Sequence, residues 1–185
     1  MGIHDLKVQK AVFLDRDGVL NRAIVRNGRP YPPKDVTELE ILPGVETACH
    51  ALRTAGYLLI VVTNQPDVTR GNTTRDVVAA MNKTLSDGLP VRDIRVCYHD
   101  DSDHCSCRKP KPGLLLDAAG QWHIDLSASF MVGDRWKDIE AGASAGCKTI
   151  FINNNYSERK PDRPDYCANS FAEAANWILQ SRLQG

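Results

Sequence analysis

Short β-branched runs recur along this chain, separated by amphipathic stretches of helical period, and the alternation restricts the possible folds more than any other feature. The runs are AVFLD (residues 11–15), YLLIVVT (57–63), DIRVCYH (93–99), ASFMVGD (128–134) and KTIFIN (148–153). Between them, Val45, Ala48, Cys49, Leu52 and Ala55 keep a helical spacing from just after Pro43-Gly44 until Gly56 stops the turn. Residues 74–86, 114–122, 136–145 and 171–179 repeat that pattern. Five strands alternating with helices predict a three-layer α/β fold, a doubly wound, Rossmann-like parallel sheet that binds ligands beyond the carboxyl ends of its strands. The length, 185 residues, suits one domain spanning 1–185. Residues 155–165 read as a charged, proline-broken loop before a last helix that completes a layer.

The strand ends carry the chemistry. FLDRDGVLN (13–21) offers Asp15 and Asp17, two apart, so both are expected on one side of the extended chain. The second run ends in Thr63, Asn64 and Gln65, the fourth in GDRWKD (133–138), and CRKPKPG (107–113) leads into a helix. A carboxylate nucleophile, a hydroxyl, a lysine and further acids at one rim suit phosphoryl transfer. That reaction needs a carboxylate to attack phosphorus, Mg2+ to offset anionic repulsion, and donors around the equatorial oxygens. Any one of these aspartates alone reads as an ordinary cap or turn. Asp15, Asp17, Lys109 and Asp134, as four independent caps, have no reason to converge on one rim.

A second constellation is CYHDDSDHCSC (97–107). Cys97 and His99, then Cys105 and Cys107, form two pairs, each two apart, joined by a short polar spacer. Three thiolates and an imidazole make a closed tetrahedral Zn2+ site, with His104 as the rival imidazole. The loop runs directly into Arg108 and Lys109, so a zinc there fixes the backbone that delivers the lysine. Cys49, Cys147 and Cys167 read as packing residues on or near helical faces.

The ordered set DRDG, TNQ, RKPKPG and GDRWKD resembles the motifs of the haloacid-dehalogenase-like phosphatases. The resemblance implies that Asp15 is the nucleophile of an aspartyl-phosphate intermediate, and that Asp17 protonates the leaving alcohol and then activates water. It implies that Thr63 and Lys109 hold the phosphoryl oxygens, and that Asp15, the Asp17 carbonyl and Asp134 bind magnesium with Asp138 nearby. The second aspartate favours hydrolysis over dehalogenation or ion pumping. Within the family the zinc loop is similar to two groups, the D-glycero-D-manno-heptose 1,7-bisphosphate phosphatases and the histidinol-phosphate phosphatases. FLDRDGVLN, VVTNQ with VTRG, CRKPKPGLLLDAA and SFMVGD favour the heptose group, which serves nucleotide-activated heptose synthesis, whereas the short spacer favours the other. A non-catalytic receiver-like or zinc-dependent scaffold is the reading of another class; Asp17 and Lys109 speak against it.

Charge and loop length bound the substrate. With 23 basic and 23 acidic residues the net charge is zero, which gives no electrostatic case for nucleic acid or an anionic membrane. A small phosphorylated sugar is the expected partner, and a monomer the expected state. No stretch has the length of a membrane span and the N-terminus has no apolar core, so a cytoplasmic location is expected. Arg70, Arg108 and Arg135, with Arg22, Arg26 and Arg29 in the long loop after the first strand, can fork onto a second phosphate, although Arg22 and Arg29 read as surface. Asn64 and Gln65 join Arg70, Arg108 and Arg135 as candidate substrate contacts. Gaps of 45 residues between Asp17, Thr63 and Lys109 leave no room for a cap domain, so an open site is expected between residues 22–36 and the zinc loop.

Overall fold

Val12, Phe13 and Leu14 have no solvent exposure, as do Leu59, Ile60, Val61 and Val62, so these two strands are covered on both faces. The computed structural model describes residues 8–181. Strands β1 (Lys10–Leu14), β4 (Tyr57–Asn64), β5 (Asp93–Cys97), β6 (Phe130–Gly133), β7 (Lys148–Ile152) and β8 (Tyr166–Ala168) form one parallel sheet in the order β5-β4-β1-β6-β7-β8. Side chains alternate between faces. Val12, Leu14, Leu59 and Val61 pack with Val45, Ala48, Cys49 and Leu52 of α1 (Val45–Thr54), Leu85 of α2 (Arg75–Gly88) and Phe171, Ala174 and Ile178 of α5 (Phe171–Ser181). Ala11, Phe13, Ile60 and Val62 pack with Leu114, Leu115 and Ala118 of α3 (Gly113–Trp122) and Ala141 of α4 (Trp136–Ala145). The chain order reverses at β1, which lies between β4 and β6, so the crevice of a doubly wound sheet opens beyond Leu14.

The five strands and five helices read from the sequence are present, and two features add to them. Residues 22–36 are not simply a stiff loop: β2 (Ile24–Arg26) and β3 (Arg29–Tyr31) pair as a hairpin in a separate two-stranded sheet. Asn27 and Gly28 both have positive φ, 50° and 73°, as a tight two-residue hairpin turn demands. The sixth strand, β8, follows the proline-broken loop and borders β7. Cys167 stands on β8 and is exposed, so it is not the packing residue its sequence context implied, whereas Cys49 and Cys147 are buried. Among the described residues no helix is long and apolar enough to cross a membrane.

Candidate active site

The chain leaves β1 with the Asp15 N–H still donating to the Val132 carbonyl (3.0 Å), then turns at Gly18. Gly18 has φ +85°, and a Cβ there would stand 1.8 Å from Asp134 Oδ2. Only glycine lets the loop after β1 lie against the carboxylate that follows β6.

Lys109 is almost fully buried, and its ammonium donates to three acceptors: Asp15 Oδ1 (2.9 Å), Asp138 Oδ1 (2.5 Å) and the Val62 carbonyl (2.7 Å). Burial works against its charge, but Asp138 and Asp15 more than offset this and hold the lysine above its ordinary pKa. Asn64 fixes the backbone that carries it, donating to the Lys109 carbonyl (3.0 Å) and accepting from the Lys109 N–H (3.1 Å). Asp138 also caps α4 by accepting from the Arg135 N–H (3.0 Å).

Asp15, Asp134 and Asp138 bring carboxylate oxygens within 4.8 Å of one another. The Lys109 ammonium reaches two of the three, Asp15 and Asp138. Burial, then the charge of Asp138, push Asp15 up to about 6 against the pull of Lys109. Burial, then Asp15 and Asp138, push Asp134 well above the usual carboxylate range. Asp134 Oδ2 accepts from Asn154 (3.2 Å), but its Oδ1 is buried without a hydrogen-bond partner. An orphaned carboxylate oxygen within an under-neutralised acidic cluster is the donor set of a hard divalent cation, and magnesium fits it.

Asp17 is held from three sides. Arg16 forks onto it, with Nη2 donating to Oδ1 (3.1 Å) and Oδ2 (3.0 Å) and Nε to Oδ1 (3.2 Å). Asn21 (3.0 Å) and Gln65 (2.8 Å) add further donors. Arg16 has no solvent exposure, and its Nη1 donates to Asn82 on α2 (3.0 Å). Gln65 also donates to Thr63 Oγ1 (3.0 Å), which leaves the threonine's own O–H available. Asp15, Asp17, Thr63, Asn64, Lys109, Arg135, Lys137 and Asp138 line one cavity of about 70 Å³, faced by Pro30, Tyr31 and Pro32 of the hairpin.

The cysteine loop closes as its spacing predicts. Cys97, His99, Cys105 and Cys107 converge, with Sγ–Sγ separations of 3.1, 3.4 and 3.8 Å and His99 Nδ1 at 3.3 Å from Cys107 and 3.7 Å from Cys97. Zn–S bonds of about 2.3 Å set tetrahedral edges near 3.8 Å, so the group needs only small adjustments to hold zinc. Burial opposes ionisation of Cys105, but hydrogen bonding to Cys107 and the Arg108 backbone brings its thiol down to about 7. His99, not His104, enters the cluster.

The arginines differ from the open forks expected of them. Arg70 is bonded to Asp100 (2.6 and 2.7 Å), Arg108 to Asp101 (2.7 Å) and Arg135 to Glu158 (2.6 and 2.8 Å), while Arg22, read as surface, is exposed and pairs with Glu40. Of these only Arg135 lines the cavity around Asp15; Arg70 and Arg26 line a neighbouring one of about 550 Å³ that shares Tyr31 and Pro32. Arg16, Lys137, Asn154, Tyr156 and Glu158 escaped the sequence reading. Asn154 and Tyr156 follow β7, where the strand-end rule could have found them.

Comparisons with known proteins show the family. The family model described as HAD-hydrolase-like matches residues 106–174. The D-glycero-beta-D-manno-heptose-1,7-bisphosphate 7-phosphatase of Escherichia coli strain K12 is 33% identical, the match covering 92% of this chain and 88% of that protein. The enzyme of the same name from Yersinia pestis is 36% identical, over 92% and 90%. The crystal structure of D,D-heptose 1,7-bisphosphate phosphatase from B. bronchiseptica, complexed with magnesium and phosphate, is 29% identical and superposes with a TM-score of 0.80 over 94% of this chain and 99% of that one. With matches of this extent, the chain belongs to the HAD-like hydrolases, in the family of phosphoric monoester hydrolases that holds the heptose-1,7-bisphosphate 7-phosphatases.

Proposed function

We propose that this protein hydrolyses D-glycero-D-manno-heptose 1,7-bisphosphate at C7, through an acyl phosphate on Asp15. Asp15 Oδ1 is occupied by Lys109 and by the Arg16 N–H (2.8 Å), which leaves Oδ2 to attack phosphorus. Lys109 and the Thr63 hydroxyl hold the equatorial oxygens, and the ammonium offsets charge as the bond forms. Asp17 gives its proton to the departing C7 oxygen and then takes one from the water that attacks the phosphoaspartate. The acid step requires Asp17 to loosen its fork with Arg16.

Magnesium would be held by Asp15, the Asp17 carbonyl and Asp134. Asp138 is the weaker candidate, because Lys109 and the Arg135 N–H already take its two oxygens. Bound there, the ion would offset repulsion between carboxylate and phosphate and polarise a phosphoryl oxygen. Zinc in the Cys97, His99, Cys105 and Cys107 group would fix the strap leading to Lys109, a positioning role outside the chemistry. Three ligating thiols suit a reducing cytoplasm, and the protein is proposed to act there as a monomer.

The observation that carries the chemistry is the Asp15, Asp134 and Asp138 cluster with its single ammonium and orphaned oxygen; the relatives supply the sugar. The test is the ratio of kcat/KM for each anomer of the heptose bisphosphate against histidinol phosphate, with magnesium present. A preference of about a hundredfold for the sugar, roughly 2.7 kcal/mol of transition-state discrimination, is expected. A preference for histidinol phosphate sinks the reading.

A further inference from the structure

We propose that Asn154 and Tyr156, on the loop after β7, position the Asp134 carboxylate and the turn at Gly18 for the divalent cation, and so set the affinity of the site for it; the assignment rests on the magnesium reading above. A cation held by the Asp17 carbonyl and by Asp134 needs two separate segments, the loop after β1 and the end of β6, to stay in register. One amide spans them. Asn154 Nδ2 donates to the Gly18 carbonyl (3.0 Å), one peptide beyond the Asp17 carbonyl, and to Asp134 Oδ2 (3.2 Å). It also donates to the Tyr156 hydroxyl (3.1 Å), which is itself hydrogen-bonded to the Asp134 carboxylate.

The loop is shaped to deliver this pair. Asn155, between them, takes a left-handed φ of 57°, which asparagine adopts more readily than most residues, and its N–H donates to Asn153 Oδ1 (3.2 Å). With the chain turned there, both side chains reach the same point: a Cβ on Gly18 would stand 1.8 Å from Asp134 Oδ2 and 2.8 Å from the Tyr156 hydroxyl. Asn154 takes Oδ2, and the buried oxygen left without a partner is Oδ1. A carboxylate with one oxygen committed to a fixed amide resists rotation, which keeps the other oxygen available to an ion. Neither Asn154 nor Tyr156 lines the cavity around Asp15, so both act through Asp134 and the Gly18 turn rather than on the substrate.

The probe is Mn2+, a cation that suits the same oxygen donors and whose free form is counted by electron paramagnetic resonance. The wild type is expected to bind it at a site that Asp134→Asn removes. Asn154→Ala is expected to raise the Kd about tenfold to a hundredfold, the usual cost of losing a hydrogen-bond partner of a metal ligand; Tyr156→Phe, which keeps the ring and deletes only the hydroxyl, should raise it several-fold. Arg159→Gln controls for general loosening, because it frees the same loop from Glu140 (2.7 Å) and from the face of Trp136 without touching Asp134, and it should leave the Kd nearly unchanged. An unchanged Kd in Asn154→Ala, or an equal rise in Arg159→Gln, overturns the assignment. Failure of the magnesium reading is seen separately, without any loop variant, as Mn2+ binding that is absent from the wild type or survives Asp134→Asn, and it takes this assignment with it.

Discussion

Arg16→Lys separates charge from geometry at a residue that never meets solvent. Arg16 makes three contacts to Asp17 and one to Asn82. A lysine keeps the positive charge, so the carboxylate is not left uncompensated, but one ammonium cannot reproduce a fork and reach α2 as well. Losing two or three hydrogen bonds, of which those to a charged group are worth about 1.5–3 kcal/mol each, should cost about 2–4 kcal/mol once Asn21, Gln65 and entering water take up part of the loss. At the roughly 2–4 °C per kcal/mol typical of a chain this size, the midpoint should fall by about 4–16 °C. If Asp17 protonates the leaving oxygen as proposed, kcat on the heptose bisphosphate, whose alkoxide needs that proton, should fall about tenfold to a hundredfold. Thermal melts and steady-state kinetics read both effects. A variant that melts within 1–2 °C of the wild type and turns over within twofold of it would refute the claim that this fork sets the position of Asp17.

Asp17→Asn should nearly abolish turnover while leaving the fold intact, and should let the phosphoaspartate on Asp15 accumulate for detection by mass spectrometry; near-normal activity would remove Asp17 from the mechanism. Protein purified without chelator should contain about one zinc per chain, and Cys107→Ser should lose it together with part of kcat, since Lys109 lies two residues on; metal analysis that finds none in the wild type would overturn the zinc assignment.

The strand-end rule made most of the acidic rim legible in advance, because Asp15, Thr63 and Asp134 directly follow or close buried strands whose apolar runs are plain in the sequence. The Cys/His group was legible for a similar reason: its four residues lie at the end of β5 and in the short loop after it. Arg16 was not, since its meaning comes from Asn82, 66 positions away, and a residue between two aspartates reads as a spacer. The arginines failed differently. Their charge was visible, but the carboxylates that hold them, Asp100 and Glu158, are chosen by loop conformations that no local pattern encodes. The hairpin had its signal in Asn27-Gly28, obscured by the prolines at positions 30, 32 and 33. The three residues of β8 are too few for a periodicity to register.

The hairpin that faces the nucleophile belongs to its own small sheet, and its turn is tied back through the Ser157 N–H donating to the Gly28 carbonyl (2.7 Å). The residues proposed to break the ester follow β1, β4 and β6 or lie on the strap before α3, none of which shares a ladder with that hairpin. Recognition and reaction are thus built on separately exchangeable pieces of backbone. A lineage could lengthen, shorten or reseed residues 24–31 and present the same phosphorus chemistry to a differently shaped alcohol, without disturbing the packing that keeps the nucleophile in place.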